Sequence, residues 1–304
     1  MTMNFMIILL LIAVGYMLKR LNFITGADSK VISTIVLNVT LPAVVIVNLN
    51  DVSLTPSLSI LPVMMVLYGI LTKVLIVLMF LKYTNEVRGT VAMMIASMNI
   101  GIFAYPLVQQ IWPDKGLIYF GMADIGGAIV MFGLTYFVAT YFKNMGGGLN
   151  PKLILSNMIK SVPLMTYIVM LILNVLSIRL SDNMIRFFDV LGQANLPLSM
   201  ILLGVLMDFK LDRRYLPLTL KYLGLHYGFG FFFGTLVYLF LPVTDPMIKT
   251  TLQLIWVLPV GVAALSYAVQ FRYRTLPVIA MSSNVTIVIS IIILYVYQYF
   301  FVVS

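Results

Sequence analysis

The chain has 304 residues, of which 62% are hydrophobic and only 10% charged, whereas a soluble globule is roughly half apolar and about a quarter charged. A polytopic membrane protein is the class that remains. The net charge of +9 comes with no basic cluster interleaved with stacking aromatics, which excludes nucleic-acid binding, and the lack of cysteine with a single His226 excludes disulfides, thiol catalysis and multi-histidine metal sites.

Taken in order, the chain reads as ten spans near 3–18, 30–49, 57–81, 89–112, 116–142, 153–178, 184–207, 214–241, 247–270 and 275–302, each reaching or approaching the length needed to cross the hydrocarbon core. The first run has no basic region before it and no small-residue cleavage site after it, so it is expected to be retained. The one long polar connection contains Gly146-Gly147-Gly148. It divides the chain into a first five-helix repeat (1–142), a cytoplasmic linker (143–152) and a second repeat (153–304).

Lys and Arg accumulate on the cytoplasmic side of a membrane protein. The loops after odd-numbered spans carry Lys19, Arg20, Lys30, Lys82, Arg88, Lys143, Lys152, Lys210, Arg213, Arg214, Arg272 and Arg274, against Lys115, Arg179, Arg186 and Lys249 opposite. Both termini are therefore expected outside the cell membrane. Five spans per half is an odd number, so homologous halves must lie in opposite orientations, an inverted repeat.

Two spans carry a proline in mid-run. Trp256 to Ser266 surrounds Pro259 in span 9, and Asn99 to Leu107 surrounds Pro106 in span 4. Proline removes a backbone donor, and the groups it frees need a cavity or packed protein at membrane depth. Broken helices at matching places in two halves are the sequence pointer to a transporter's binding site. Pro106 and Pro259 are 153 residues apart, and Leu41-Pro42 and Leu196-Pro197 are 155 apart, which supports the repeat.

The run Leu191 to Gly204, the Leu258 to Ala263 core of span 9, Asn38 to Ala43 and Gly15 to Arg20 together resemble the auxin efflux carrier family, which includes plant auxin carriers and bacterial dicarboxylate permeases. The resemblance covers essentially the whole chain. It implies an all-α fold of two inverted five-helix repeats, as in sodium/proton antiporters and bile acid symporters. Spans 1, 2, 6 and 7 would form a scaffold, and the others a mobile transport domain with spans 4 and 9 crossing at their prolines. The fold also implies a homodimer through scaffold spans. The chain lacks the long central loop of many plant members. It also carries Phe103, Ala104 and Tyr105 where members often place a second glycine before the proline.

Asp124 is the sharpest candidate for chemistry, since a carboxylate inside a span is costly unless it faces a cavity or partner. It is read as the proton or sodium coupling site, with Ser97, Gln270 and Ser283 nearby; the plainer reading is contact with interfacial water. Asn99, Gly101, Pro106, Pro259, Gly261 and Ser266 around the breaks are read as substrate-binding, with Asn38, Thr40 and Asn195 facing them from the scaffold. Interhelical hydrogen bonding is the alternative for these polar groups. Lys73, Lys160 and Lys221 are expected to snorkel towards the cytoplasmic interface, Asp189 to pair with Arg186, and His226 to bond within the helix packing.

These residues point to a secondary transporter of small organic anions, carboxylates such as malate, working by alternating access and needing no cofactor. Its expected partners are the anion, a coupling proton or sodium ion and membrane lipid. The alternatives are a cation/proton antiporter of the same fold and a ligand-binding membrane sensor. An intramembrane enzyme lacks a nucleophile–base pair or a second acid near Asp124.

Overall fold

A computed structural model of the chain describes residues 2–25, 28–50, 55–113, 115–143, 151–208 and 212–301. The glycines of the linker and Lys210 lie outside the described residues. In hydrocarbon each backbone N–H and C=O must be satisfied within its own segment, so apolar runs of this kind fold as helices. Among the described residues there are helices and no strand.

In order they are α1 (Thr2–Arg20), α2 (Ser29–Leu49), α3 (Pro56–Met79), α4 (Asn85–Met94), α5 (Ile100–Ile111), α6 (Gly116–Tyr141), α7 (Pro151–Ile159) and α8 (Val162–Val175). There follow α9 (Asp182–Leu206), α10 (Leu216–Phe240), α11 (Pro246–Ile255), α12 (Val262–Gln270) and α13 (Leu276–Phe301). Six of the described helices, α2, α3, α6, α9, α10 and α13, are long and apolar enough to cross a membrane.

The prolines shape these helices locally. Pro42 and Pro106 cannot donate, and the residue before each bonds five back instead of four: Leu41 N–H to the Val36 carbonyl and Tyr105 N–H to the Ile100 carbonyl. A π-helical turn absorbs the lost bond without breaking the helix. Pro163 sits in the first turn of α8, where no donor is needed, and the chain is extended at Ser161 just before it. Span 6 is therefore two helices, α7 and α8, where the apolar run reads as one. Pro197 removes the bond to Gln193, and α9 bends at Ala194. Asp189 on α9 accepts from Gln193 Nε2 at 3.0 Å rather than pairing with Arg186.

The helices pack in two groups. In one, α1 lies along α9, and α2 packs on α8 and α9. Gly15 and Gly204 permit the first contact, since a Cβ on Gly15 would strike the carbonyl of Ile201 and one on Gly204 that of Ile12. Such close backbone approach drives association where lipid removes the hydrophobic incentive. In the other group α3 packs on α6, α4 on α3 and α6, α10 on α11 and α13, and α12 on α13. Contacts of α5 with α9 and of α8 with α6 join the groups.

Candidate functional site

The second group is built around a crossing of two interrupted helices. α4 stops at Met94; Ile95 is extended (ψ 136) and Ala96 left-handed (φ 57) before α5 begins at Ile100. α11 stops at Ile255 and α12 starts after Gly261. The two gaps meet as an antiparallel bridge between Met98 and Val260. In it Asn99 N–H donates to the Pro259 carbonyl at 2.9 Å, and Gly261 N–H donates to the Ser97 carbonyl at 2.6 Å. Gly261 eases this approach, because a Cβ there would lie a tight 3.1 Å from the Met98 carbonyl oxygen and 3.2 Å from that of Ser97.

This register corrects the sequence reading. The gap in span 4 lies at residues 95–99, ahead of Pro106, and Pro106 sits inside α5, just after its π-helical turn. Pro259 lies inside the gap of span 9. The residues that face each other are 162 apart, so the two prolines are not counterparts across the crossing.

Several of the backbone groups freed by the gaps are bonded by side chains from neighbouring helices. Lys73 of α3, buried at 5% exposure, donates from Nζ to the Ala92 and Ile95 carbonyls, both at 2.8 Å. It does not snorkel; it caps the negative C-terminal end of α4. Ser97 Oγ bonds the Met93 carbonyl at 2.6 Å and Thr135 Oγ1 at 2.9 Å. Opposite, Ser290 Oγ donates to the Val257 carbonyl at 2.6 Å, and Val260 N–H donates to Thr286 Oγ1 at 3.1 Å. Ser283 Oγ donates to the Val260 carbonyl at 3.3 Å. His226, fully buried, lies 3.0 Å from the Leu258 carbonyl through Nε2 and 3.3 Å from Tyr222 Oη through Nδ1. A carbonyl only accepts, so Nε2 carries the proton, and the expectation of a packing role for His226 agrees with this geometry.

A cavity of about 670 Å³ opens beside the crossing. Asn99, Gly101 and Gly261, with Ser266 and Gln270 of α12, Asn38 of α2 and Asp124 of α6, all line it, so seven of the residues singled out from the sequence converge there. The N-terminal ends of α5 and α12 form its floor. Asp124 Oδ2 accepts from Tyr105 Oη at 2.7 Å. Thr40, Ser97, Pro106, Asn195, Pro259 and Ser283 are absent from the lining. Thr40 Oγ1 donates instead to Asn195 Oδ1 at 3.0 Å, both side chains buried within the first packed group. Ser97, Pro259 and Ser283 belong to the hydrogen-bonded crossing itself.

Sequence reasoning passed over several residues of this site. Tyr136 and Tyr267 go unmarked among the chain's many aromatics, Tyr105 reads only as bulk ahead of Pro106, and Lys73 reads as an interfacial lysine; a lysine well inside an apolar run, with no acid on its own helix, was the available signal for a carbonyl cap. Lys160 lines the cavity as well.

At the end of the crossing pair that carries most lysines and arginines, Glu86 ties three segments together. Its carboxylate accepts from Lys143 Nζ at 3.0 Å and from the backbone N–H of Arg274. Burial pushes its pKa up, but the Lys143 and Arg274 hydrogen bonds and the nearby positive charges of both residues outweigh that and hold it below the usual carboxylate range.

Residues 1–147 match the family described as membrane transport protein. Over 258 residues the chain is 26% identical to an uncharacterized transporter of Methanocaldococcus jannaschii, which covers 82% of this chain and 77% of that one. Over 213 residues it is 24% identical to an uncharacterized transporter of Methanothermobacter thermautotrophicus, 68% of each chain.

Proposed function

We propose, from the premise that this chain is a membrane transporter of the kind the auxin efflux carriers represent, that it is a secondary transporter of small organic anions. Carboxylates such as malate are its substrates, and they bind in the cavity beside the crossing. The observation that carries this reading is the polarity of the gaps. The C-terminal end of α4 is capped by Lys73, and carbonyls in the gap that follows α11 are bonded by Ser290 and His226. Both N-terminal ends, with their positive dipoles, border the cavity. A cavity walled by positive helix ends and amides suits an anion.

The group holding α1, α2, α8 and α9 acts as the scaffold and the group holding the crossing as the transport domain, in ten crossings with an inverted repeat. Two contacts support that repeat. Thr40 and Asn195, which touch, are 155 residues apart, the offset of the two Leu-Pro pairs, and residues related by a two-fold axis meet only near the axis. Lys73 and His226, 153 apart, cap corresponding gaps. Most of the cavity lining comes from the halves of the spans that the Lys/Arg distribution places inside, with Asp124 reaching it from the outer half of span 5, which supports reading this as an inward-open state. Alternating access follows from motion of the transport domain against the scaffold.

Asp124 couples transport to a proton or sodium ion. Among the described residues it is the one carboxylate lining the cavity, which favours anion transport over cation/proton antiport by paired acids. Isotope uptake into proteoliposomes tests the reading with a panel of malate, succinate, pyruvate, sodium and rubidium under imposed pH and sodium gradients. Carboxylate uptake driven by one gradient, and gradient-independent in Asp124→Asn, is expected; cation flux without carboxylate flux would falsify it.

A further inference from the structure

Among the described residues, one lysine lines the cavity, and no carboxylate pairs with it. Lys160 lies between α7 and α8, is exposed and lines the cavity; its backbone N–H bonds the Ser156 carbonyl, while its ammonium has no hydrogen-bond or ion-pair partner among the described residues. It stands directly before the first turn of α8, whose Val162 and Leu164 backbone donors have no carbonyl a turn earlier to bond, and whose Pro163 has none to offer. Asp124, the carboxylate lining the same cavity, is engaged by Tyr105.

A second unsatisfied group comes from another element. Asn99 is 6% exposed and lines the cavity. Its backbone N–H and carbonyl are bonded in the crossing, to Pro259 and Ala104, yet its side-chain amide has no partner among the described residues. An amide that faces a cavity with its donors and acceptor unused can bond a ligand there. Lys160 belongs to the α8 side and Asn99 to the crossing, so the two groups approach the cavity from the two packed halves of the molecule.

We propose that Lys160 is the charge-recognising residue of the transport site. Its ammonium receives a carboxylate on the α8 side, while the Asn99 amide bonds the substrate's other polar end at the crossing. The substrate class this selects is a small carboxylate with a second hydrogen-bonding group, and the substrate itself bridges the two halves. The inference rests on the anion-transporter reading and adds a full charge to the positive helix ends and amides that favour an anion.

The test is uptake of radiolabelled malate, succinate and pyruvate by proteoliposomes of wild type, Lys160→Gln, Lys160→Arg and Lys160→Glu. Size-exclusion profile and thermal melt are recorded for each variant. Loss of a charge-assisted bond should raise KM for the transported carboxylate in Lys160→Gln by about tenfold or more with little change in kcat. Lys160→Arg should recover most of it, and Lys160→Glu should abolish uptake. Neutral succinamide should compete equally with labelled carboxylate in Lys160→Gln and poorly in wild type. Unchanged KM in Lys160→Gln and Lys160→Glu, with wild type active, overturns the role of Lys160 alone. If wild type transports no carboxylate of the panel, the anion-transporter reading fails and this assignment falls with it.

Discussion

Lys73 shows how one side chain can decide whether a helix may stop inside a membrane. The end of α4 leaves carbonyls at a depth where water is not available to bond them, and the Lys73 ammonium bonds two of them. Lys73→Met keeps the length and apolar stem but orphans both carbonyls. Relief from burying an ammonium offsets part of that cost, and a net loss of about 1–3 kcal/mol is expected, read as a lower melting temperature in detergent. A melt indistinguishable from wild type would show that the carbonyls find other donors. The sequence marks Lys73 as out of place in an apolar run but not which carbonyls it bonds, because the acceptors belong to residues about twenty positions away and only the packing of α3 on α4 brings them together. Asp124 and Asn99 were legible for the opposite reason: a carboxylate, and an amide beside a break, are improbable in hydrocarbon without a cavity. Thr40 and Asn195 were equally visible as polar groups, yet nothing in their spacing told mutual bonding apart from bonding to a ligand.

The elements themselves were legible to the extent that they obey hydrophobic run length, and their interruptions less so. Pro106 looks like a break and is none, since a π-helical turn absorbs it; the true gap, Ile95 to Asn99, carries no proline and is held open by the bridge to Val260. The gap is a tertiary product, so local propensity gave no sign of it. Its anchor is Glu86, the chain's single glutamate, which joins the start of α4 to Lys143 after α6 and Arg274 before α13. Its pKa in the folded protein lies below its unfolded value. The stability it contributes is therefore complete above the unfolded pKa of about 4.3 and disappears as pH falls through the depressed folded value. Wild type should lose more thermal stability than Glu86→Gln between about pH 6 and about pH 3, by about 1 kcal/mol at most for a partly exposed pair. Parallel pH profiles for the two proteins would remove Glu86 from the account.

At the scale of the whole molecule, the two packed groups meet across the cavity. The proposed inward-open state makes a directional statement that a cysteine-free chain is well suited to test. Every cysteine introduced is the only thiol present. Ser266 lies on α12, is exposed to the cavity, and makes a single local bond to the Val262 carbonyl at 3.2 Å, so Ser266→Cys should fold unaltered. Ser282 is fully buried in α13 and serves as the unreactive control. A membrane-impermeant maleimide should label Ser266→Cys in inside-out vesicles and not in right-side-out ones, and malate should slow the labelling. Ser282→Cys should stay unlabelled from either side. Labelling of Ser266→Cys from the outside alone would reverse the orientation drawn from the Lys/Arg distribution. Labelling from both sides, slowed by malate on each, would mean that the transport domain samples both faces at rest. In that case the state seen here is one end of an equilibrium whose populations bound substrate should shift only by its differential affinity for the two ends.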